Sequence, residues 1–137
     1  MELTINLIES PFVMELSNEE GLITTIDASP EIGGKNKGLR PMQLLAGSLA
    51  GCMSIDVLSI LRKKRIEVTH FSVAIVGCRA PEVPSIFETI ELQFIVDSGV
   101  PLDKLEHAIQ LSHEKYCSVS ASLNPAIVVK TSAKQLS

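Results

Sequence analysis

The sequence predicts an α+β domain with the element order β-β-β-α-β-β-α-β. Three observations carry this expectation. Apolar residues alternate with period two near the start and again over residues 88–96. Two long segments carry apolar residues at helical spacing. Clusters of Gly and Pro separate these stretches. Such an order builds hairpin-rich sheets packed on helices.

Leu3, Ile5 and Leu7 alternate with Glu2, Thr4 and Asn6, the pattern of a half-buried strand. Ser10-Pro11 breaks it, and residues 12–16 form a second short strand. Asn18 to Gly21 turns the chain into residues 22–27, rich in β-branched side chains, which completes a meander. Residues 29–38 hold Pro30, Gly33, Gly34, Asn36 and Gly38 and read as a loop.

Pro41 then suits the first turn of a helix, where its missing N–H costs nothing. That helix is expected to run to about residue 64. Small residues cluster in its middle, at Ala46, Gly47, Ser48, Ala50 and Gly51. Each interior glycine costs about 1 kcal/mol against alanine, so Gly47 and Gly51 imply a gain elsewhere, such as close helix–helix approach. Residues 68–76 form the next strand, 79–84 a turn and 88–96 a regular strand. A second helix is expected from residue 102 to about 120, with Leu105, Ala108, Ile109 and Ser112 on one face. Asn124-Pro125 ends it, and residues 126–130 are the last strand. With no linker or low-complexity tract, residues 1–137 are expected to form a single domain.

Hydrophobic residues make up 45% and aromatics 4%, so the core should be aliphatic. A formal charge of −4 argues against nucleic-acid binding, which needs clustered cations. The one basic cluster, Arg62 to Arg65, follows an apolar helix and complements its C-terminus. Ser48, Ser54, Asp56 and Ser59 interrupt residues 44–60, which therefore read as a buried helix and not a membrane span. The first residues lack the pattern of a signal peptide. A cytoplasmic location is expected, where thiols stay reduced.

The chemical lead is a thiol on each of two predicted helices, Cys52 and Cys117. Helical steps place Leu45, Ser48, Leu49 and Asp56 on the face of Cys52. Burial there raises a thiol pKa, so a reactive Cys52 needs a cation, and Arg40 and Arg79 are the candidates. The competing reading is a small core cysteine. Cys78, at a strand end, reads as structural. His113 stands one helical turn before Cys117, as a neighbour of the thiol or as a surface histidine. No metal is expected: there is no Cys-x-x-Cys, and His70, His107 and His113 show no paired spacing. The residues by themselves lead as far as a two-thiol redox domain.

Three motifs carry a resemblance. They are Pro41-x-x-Leu44-Leu45-x-x-x-Leu49-Ala50-Gly51-Cys52; Arg79 with Pro84, Phe87 and Ile90; and Leu111-Ser112-x-x-Lys115-Tyr116-Cys117-Ser118-Val119. Upstream, Ile26-Asp27-Ala28-x-Pro30-x-x-Gly33-Gly34 fits as well. The chain resembles the osmotically inducible protein C (OsmC) and organic hydroperoxide resistance (Ohr) family over nearly its whole length. The resemblance implies an intertwined homodimer, two central helices wrapped by sheets from both chains, with the active site at their interface.

It further implies thiol-dependent reduction of organic hydroperoxides in oxidative-stress defence. Cys52 would be the peroxidatic thiolate that becomes a sulfenic acid. Cys117 would resolve it as a disulfide, opened by an external dithiol or lipoyl-type reductant. No resident cofactor is implied. Peroxidase members carry a Glu ten residues before the first cysteine, paired with an Arg from the N-terminal region. Here that position is Met42, followed by Gln43, and no Arg precedes Arg40. The chain resembles the less characterised branch that keeps Ser54-Ile55-Asp56-Val57 after the cysteine. Arg40 and Arg79 are the candidate activators, and Met42, Gln43 and Asp56 the candidate pocket residues. The alternatives are a non-catalytic thiol protein that senses or binds a small apolar or thiol-reactive ligand at a dimer groove, and a stress-induced dimer whose cysteines merely pack.

Overall fold

Three antiparallel strands open the chain in the order β1 (Leu3–Glu9), β2 (Val13–Asn18) and β3 (Ile23–Ile26). Ile5 pairs with Leu16, and Glu15 with Thr25. The computed structural model describes residues 1–137, which divide into two compact units, Met1–Leu45 and Ala46–Ser137.

Period-two spacing placed β1 correctly, but its half-burial does not appear within the chain. Leu3, Ile5, Leu7 and Ile8 are each more than half exposed, as are Leu22 and Ile23. The meander therefore presents an apolar face with no cover of its own.

After β3 the chain wraps around one carboxylate. Asp27, almost fully buried, accepts backbone N–H bonds from Ala28 (2.7 Å), Lys35 (2.8 Å) and Lys37 (3.2 Å). Burial pulls its carboxyl upward, but the amides of Lys35, Lys37 and Ala28 outweigh that and hold it below its ordinary value. The wrap is too tight for side chains at two points. A Cβ on Gly34 would overlap the Ala28 carbonyl oxygen, and one on Gly38 would press on that of Thr25.

Helix α1 (Pro41–Lys63) begins in the first unit and continues into the second. Its buried residues Ala46, Leu49, Ala50, Met53, Val57 and Leu61 form one helical stripe. By length and composition α1 could cross a bilayer; that stripe, with half-buried Asp56 beside it, is the pattern of a core helix. The opposite stripe is open. Ile55 is 71% exposed and Leu58 37%, and nothing lies within 4 Å of a Cβ built on Gly47 or Gly51. The close approach expected of these glycines has no partner inside the chain.

The helix ends as its basic cluster suggested. Arg65 adopts a left-handed conformation (φ 59°). The Ile66 and Arg65 N–H groups return to the carbonyls of Leu61 (3.0 Å) and Arg62 (2.9 Å), satisfying carbonyls the helix leaves unpaired.

The second sheet has the order β4 (Phe71–Arg79), β5 (Phe87–Val96) and β6 (Val128–Gln135), antiparallel between β4 and β5 and parallel between β5 and β6. A parallel neighbour requires a crossover, which α2 (Leu102–Leu111) and the segments after it supply. Phe87, Ile90, Leu92, Phe94 and Val96 of β5 are buried, as are Leu105, Ala108 and Ile109 of α2. Each large side chain so buried contributes about 1.5–3 kcal/mol.

Three elements depart most from expectation, each for a local reason. β4 begins only at Phe71, because the Asp97 carboxylate takes the Thr69 (2.8 Å) and His70 (3.0 Å) N–H groups and holds residues 68–70 as a loop. β6 extends to Gln135, since parallel pairing with β5 needs no apolar side chains. The helix expected over 102–120 is in three pieces: α2, a π turn (Ser112–Tyr116) and α3 (Ser118–Ser122). Cys117 between them is extended (φ −72°, ψ 105°), and its N–H reaches the Ser112 carbonyl at 2.8 Å. The apolar spacing runs through the break, so periodicity could not reveal it.

Candidate functional site

The break in the second helix puts a sulfur where a straight helix would not. Cys117 caps α3, its Sγ accepting the Ser120 N–H at 3.3 Å. It is 3% exposed. Cys52, half-buried, lies midway along α1, with Asp56 one turn further on. The Cys52 Sγ, the Cys117 Sγ and a carboxylate oxygen of Asp56 all lie within 4.8 Å of one another. All the cysteines are free thiols.

Electrostatics divide the two sulfurs. Burial pushes the Cys117 thiol up to about 11. The Ser120 amide opposes this, and Cys52 adds to it as a hydrogen-bond partner and a nearby charge. At neutral pH Cys117 therefore keeps its proton. Asp56 has a different partner: the Ser112 hydroxyl, fully buried, donates to its Oδ2 at 2.8 Å. His113 does not bond Cys117; its Nδ1 pairs with the Ser120 hydroxyl at 3.1 Å.

A cleft of about 360 Å³ reaches this cluster, lined by Asp56, Ser59, Ile60, Lys63, Lys64, Leu111 and Tyr116. Neither cysteine lines it. Asp56 is the joint between cleft and sulfurs.

The other residues expected at the site are placed as follows. The Arg79 Nε donates to the Ser85 carbonyl at 2.9 Å and clasps the β4–β5 turn; it makes no hydrogen bond to either sulfur. In the first unit, the Arg40 backbone N–H donates to the Gln43 Oε1 at 2.9 Å, while the Arg40 Nε is buried with no hydrogen-bond partner. Met42, half-buried, and Gln43, exposed, sit in the first turn of α1. Cys78 is exposed on β4, so it does not pack as a core residue.

Sequence reasoning overlooked Ser112 as the partner of Asp56 and Ser120 as the donor to Cys117. A signal for the first existed, a serine within the buried stripe of Leu105, Ala108 and Ile109. Nothing in the spacing signalled the second.

The OsmC-like protein family matches residues 34–132 of the chain. Protein YhfA of Escherichia coli strain K12 is 39% identical over 93 residues, 67% of this chain and 69% of that protein. A hypothetical protein from Aquifex aeolicus VF5 has a TM-score of 0.84 at 35% identity, covering 98% of this chain and 95% of that one. An organic hydroperoxide resistance protein OsmC from Legionella pneumophila has a TM-score of 0.71 at 18% identity, covering 98% and 97%. At that identity the likeness is one of fold.

Proposed function

Because this chain belongs to the OsmC-like family, we propose that it is a thiol-dependent peroxidase reducing organic hydroperoxides in oxidative-stress defence. One observation carries the reading: the Cys52 and Cys117 sulfurs, distant in sequence, lie within 4.8 Å of each other. A disulfide needs Cα atoms within roughly 7 Å and sulfurs that turn toward each other. Sulfurs this close need only side-chain rotation to bond once one of them has been oxidised to a sulfenic acid.

The electron balance is simple. The Cys52 thiolate attacks one peroxide oxygen, the O–O bond breaks, and the alkoxide takes a proton to leave as an alcohol. Cys52 is then a sulfenic acid. The Cys117 sulfur attacks it, forming the S–S bond; hydroxide leaves and departs as water with the Cys117 proton. An external dithiol of the lipoyl type reduces the disulfide and restores both thiols. Relative exposure supports this division of roles, since Cys52 is half-buried and Cys117 almost wholly enclosed. The reading needs no resident cofactor and a reducing compartment, the cytoplasm.

The working form is an intertwined homodimer. The open stripe of Gly47, Gly51, Ile55 and Leu58 on α1 and the uncovered apolar face of β1 support it, since each leaves apolar surface that a second copy would bury. Met42, standing where peroxidase relatives carry Glu, favours a second reading: a non-catalytic thiol protein that senses or binds an apolar or thiol-reactive ligand.

Consumption of cumene hydroperoxide with a dithiol separates the two. Wild type should turn over and Cys52→Ser should not. Equal consumption by both proteins removes the enzyme. Mass spectrometry after one equivalent of peroxide should show the loss of two hydrogens at a Cys52–Cys117 bond.

A further inference from the structure

The two sulfurs of the reduced cluster are joined by a third group that disulfide chemistry does not require. Cys52 and Asp56 present one sulfur and one carboxylate oxygen from successive turns of α1, and Cys117 adds a sulfur from the junction of the π turn and α3; all three atoms lie within 4.8 Å of one another. A tetrahedral zinc with bonds of about 2.3 Å holds neighbouring sulfurs about 3.8 Å apart. Closing the remaining distance, at most about an ångström, takes only small side-chain rotations.

Two outer hydrogen bonds aim these groups. The buried Ser112 hydroxyl holds the Asp56 Oδ2 at 2.8 Å and leaves Oδ1 free of that bond. The Ser120 amide holds the Cys117 Sγ at 3.3 Å. Such partners orient metal ligands and stabilise their charged forms. Asp56 forms no ion pair with any Lys or Arg, so its charge is available to a cation. Two thiolates select soft or borderline metals over calcium and magnesium, and a mixed sulfur and oxygen set suits zinc.

We infer that the reduced Cys52, Asp56 and Cys117 cluster is a binding site for a zinc-type divalent cation, with a fourth position left for water or an incoming thiol. Binding exchanges the two thiol protons for the metal, which ends bound to two thiolates and one carboxylate. Both sulfurs are then occupied. Metal binding and disulfide formation exclude each other, and the loaded protein resists oxidation. The inference rests on the geometry of the cluster and not on peroxidase turnover.

The test uses the full chain, reduced, freed of metal with a chelator and titrated anaerobically with cobalt(II) as the spectroscopic probe. We expect one cobalt per chain, a thiolate-to-cobalt charge-transfer band, intense visible bands of four-coordinate cobalt, and displacement by zinc. Cys78→Ser should keep these bands, whereas Cys52→Ser and Cys117→Ser should each lose the two-thiolate spectrum. Ser112→Ala should weaken binding roughly ten- to hundredfold. Oxidised wild type, which carries no substitution and so no folding risk, should give no band. Absence of the band from reduced wild type overturns the site, as does its survival in the oxidised protein or its dependence on Cys78. A protein that binds cobalt as expected yet consumes no hydroperoxide would keep this site and lose the peroxidase.

Discussion

The Ser112 hydroxyl donates to the Asp56 carboxylate across 2.8 Å, tying the start of the π turn to α1 one turn beyond Cys52. This bond holds the second-helix break against the helix that carries the other thiol. It thereby sets the position from which Cys117 reaches Cys52.

Removing that donor should be costly. Ser112→Ala leaves a half-buried carboxylate without its donor, and a hydrogen bond to a charged group contributes about 1.5–3 kcal/mol. Urea unfolding of the reduced protein should show a loss of that size. An unchanged midpoint would mean that water replaces the hydroxyl freely.

The two thiols should fail differently. Cys52→Ser should leave no reaction with peroxide. Cys117→Ser should still react once and then stall as a sulfenic acid on Cys52, which dimedone labels and mass spectrometry detects. Cys78→Ser should match wild type in turnover. Dimedone labelling of Cys117 in the Cys52→Ser protein would reverse the assigned roles.

Acid should weaken the β5–α2 turn through Asp97. Its carboxyl is held down to about 2, from an ordinary 3.8, by the amides of His70, Thr69 and Gly99. The folded state therefore binds this proton less tightly than the unfolded chain does. The stabilisation is complete above pH 3.8 and is lost as pH falls through about 2. Asp97→Asn should lower the melting temperature at neutral pH and flatten its acid dependence. A carboxyl resonance titrating near its ordinary value would contradict the assignment.

Two glycines make opposite demands. Gly34→Ala must overlap the Ala28 carbonyl and should destabilise the Asp27 loop strongly, seen as a large drop in melting temperature. A Cβ on Gly51 has nothing within 4 Å in the chain, so Gly51→Leu should leave the fold of one chain intact while driving a dimer toward monomer. Sedimentation of wild type and variant checks this. Identical monomers would remove the helix–helix contact through Gly51, and identical dimers would move the interface elsewhere.

Local order was largely readable in the residues. Period-two runs marked the strands, Pro41 the start of α1, and the basic cluster 62–65 its end, because backbone geometry and capping act over a few neighbours. Cys52 and Asp56 share a helix face for the same reason. What the linear pattern hid was the break at Cys117, since apolar spacing continues across it while a buried serine and a backbone N–H reshape the turn. Burial of β1 was hidden as well, since alternation shows that a strand has an apolar face but not what covers it.

The sequence by itself determined the elements, their order and the residues that could do thiol chemistry. Only the tertiary structure decided that Cys52, Asp56 and Cys117 meet, and that Arg79 is occupied by Ser85. Spacing along the chain governs interactions within a turn or two, whereas contact between distant segments depends on how the whole chain packs.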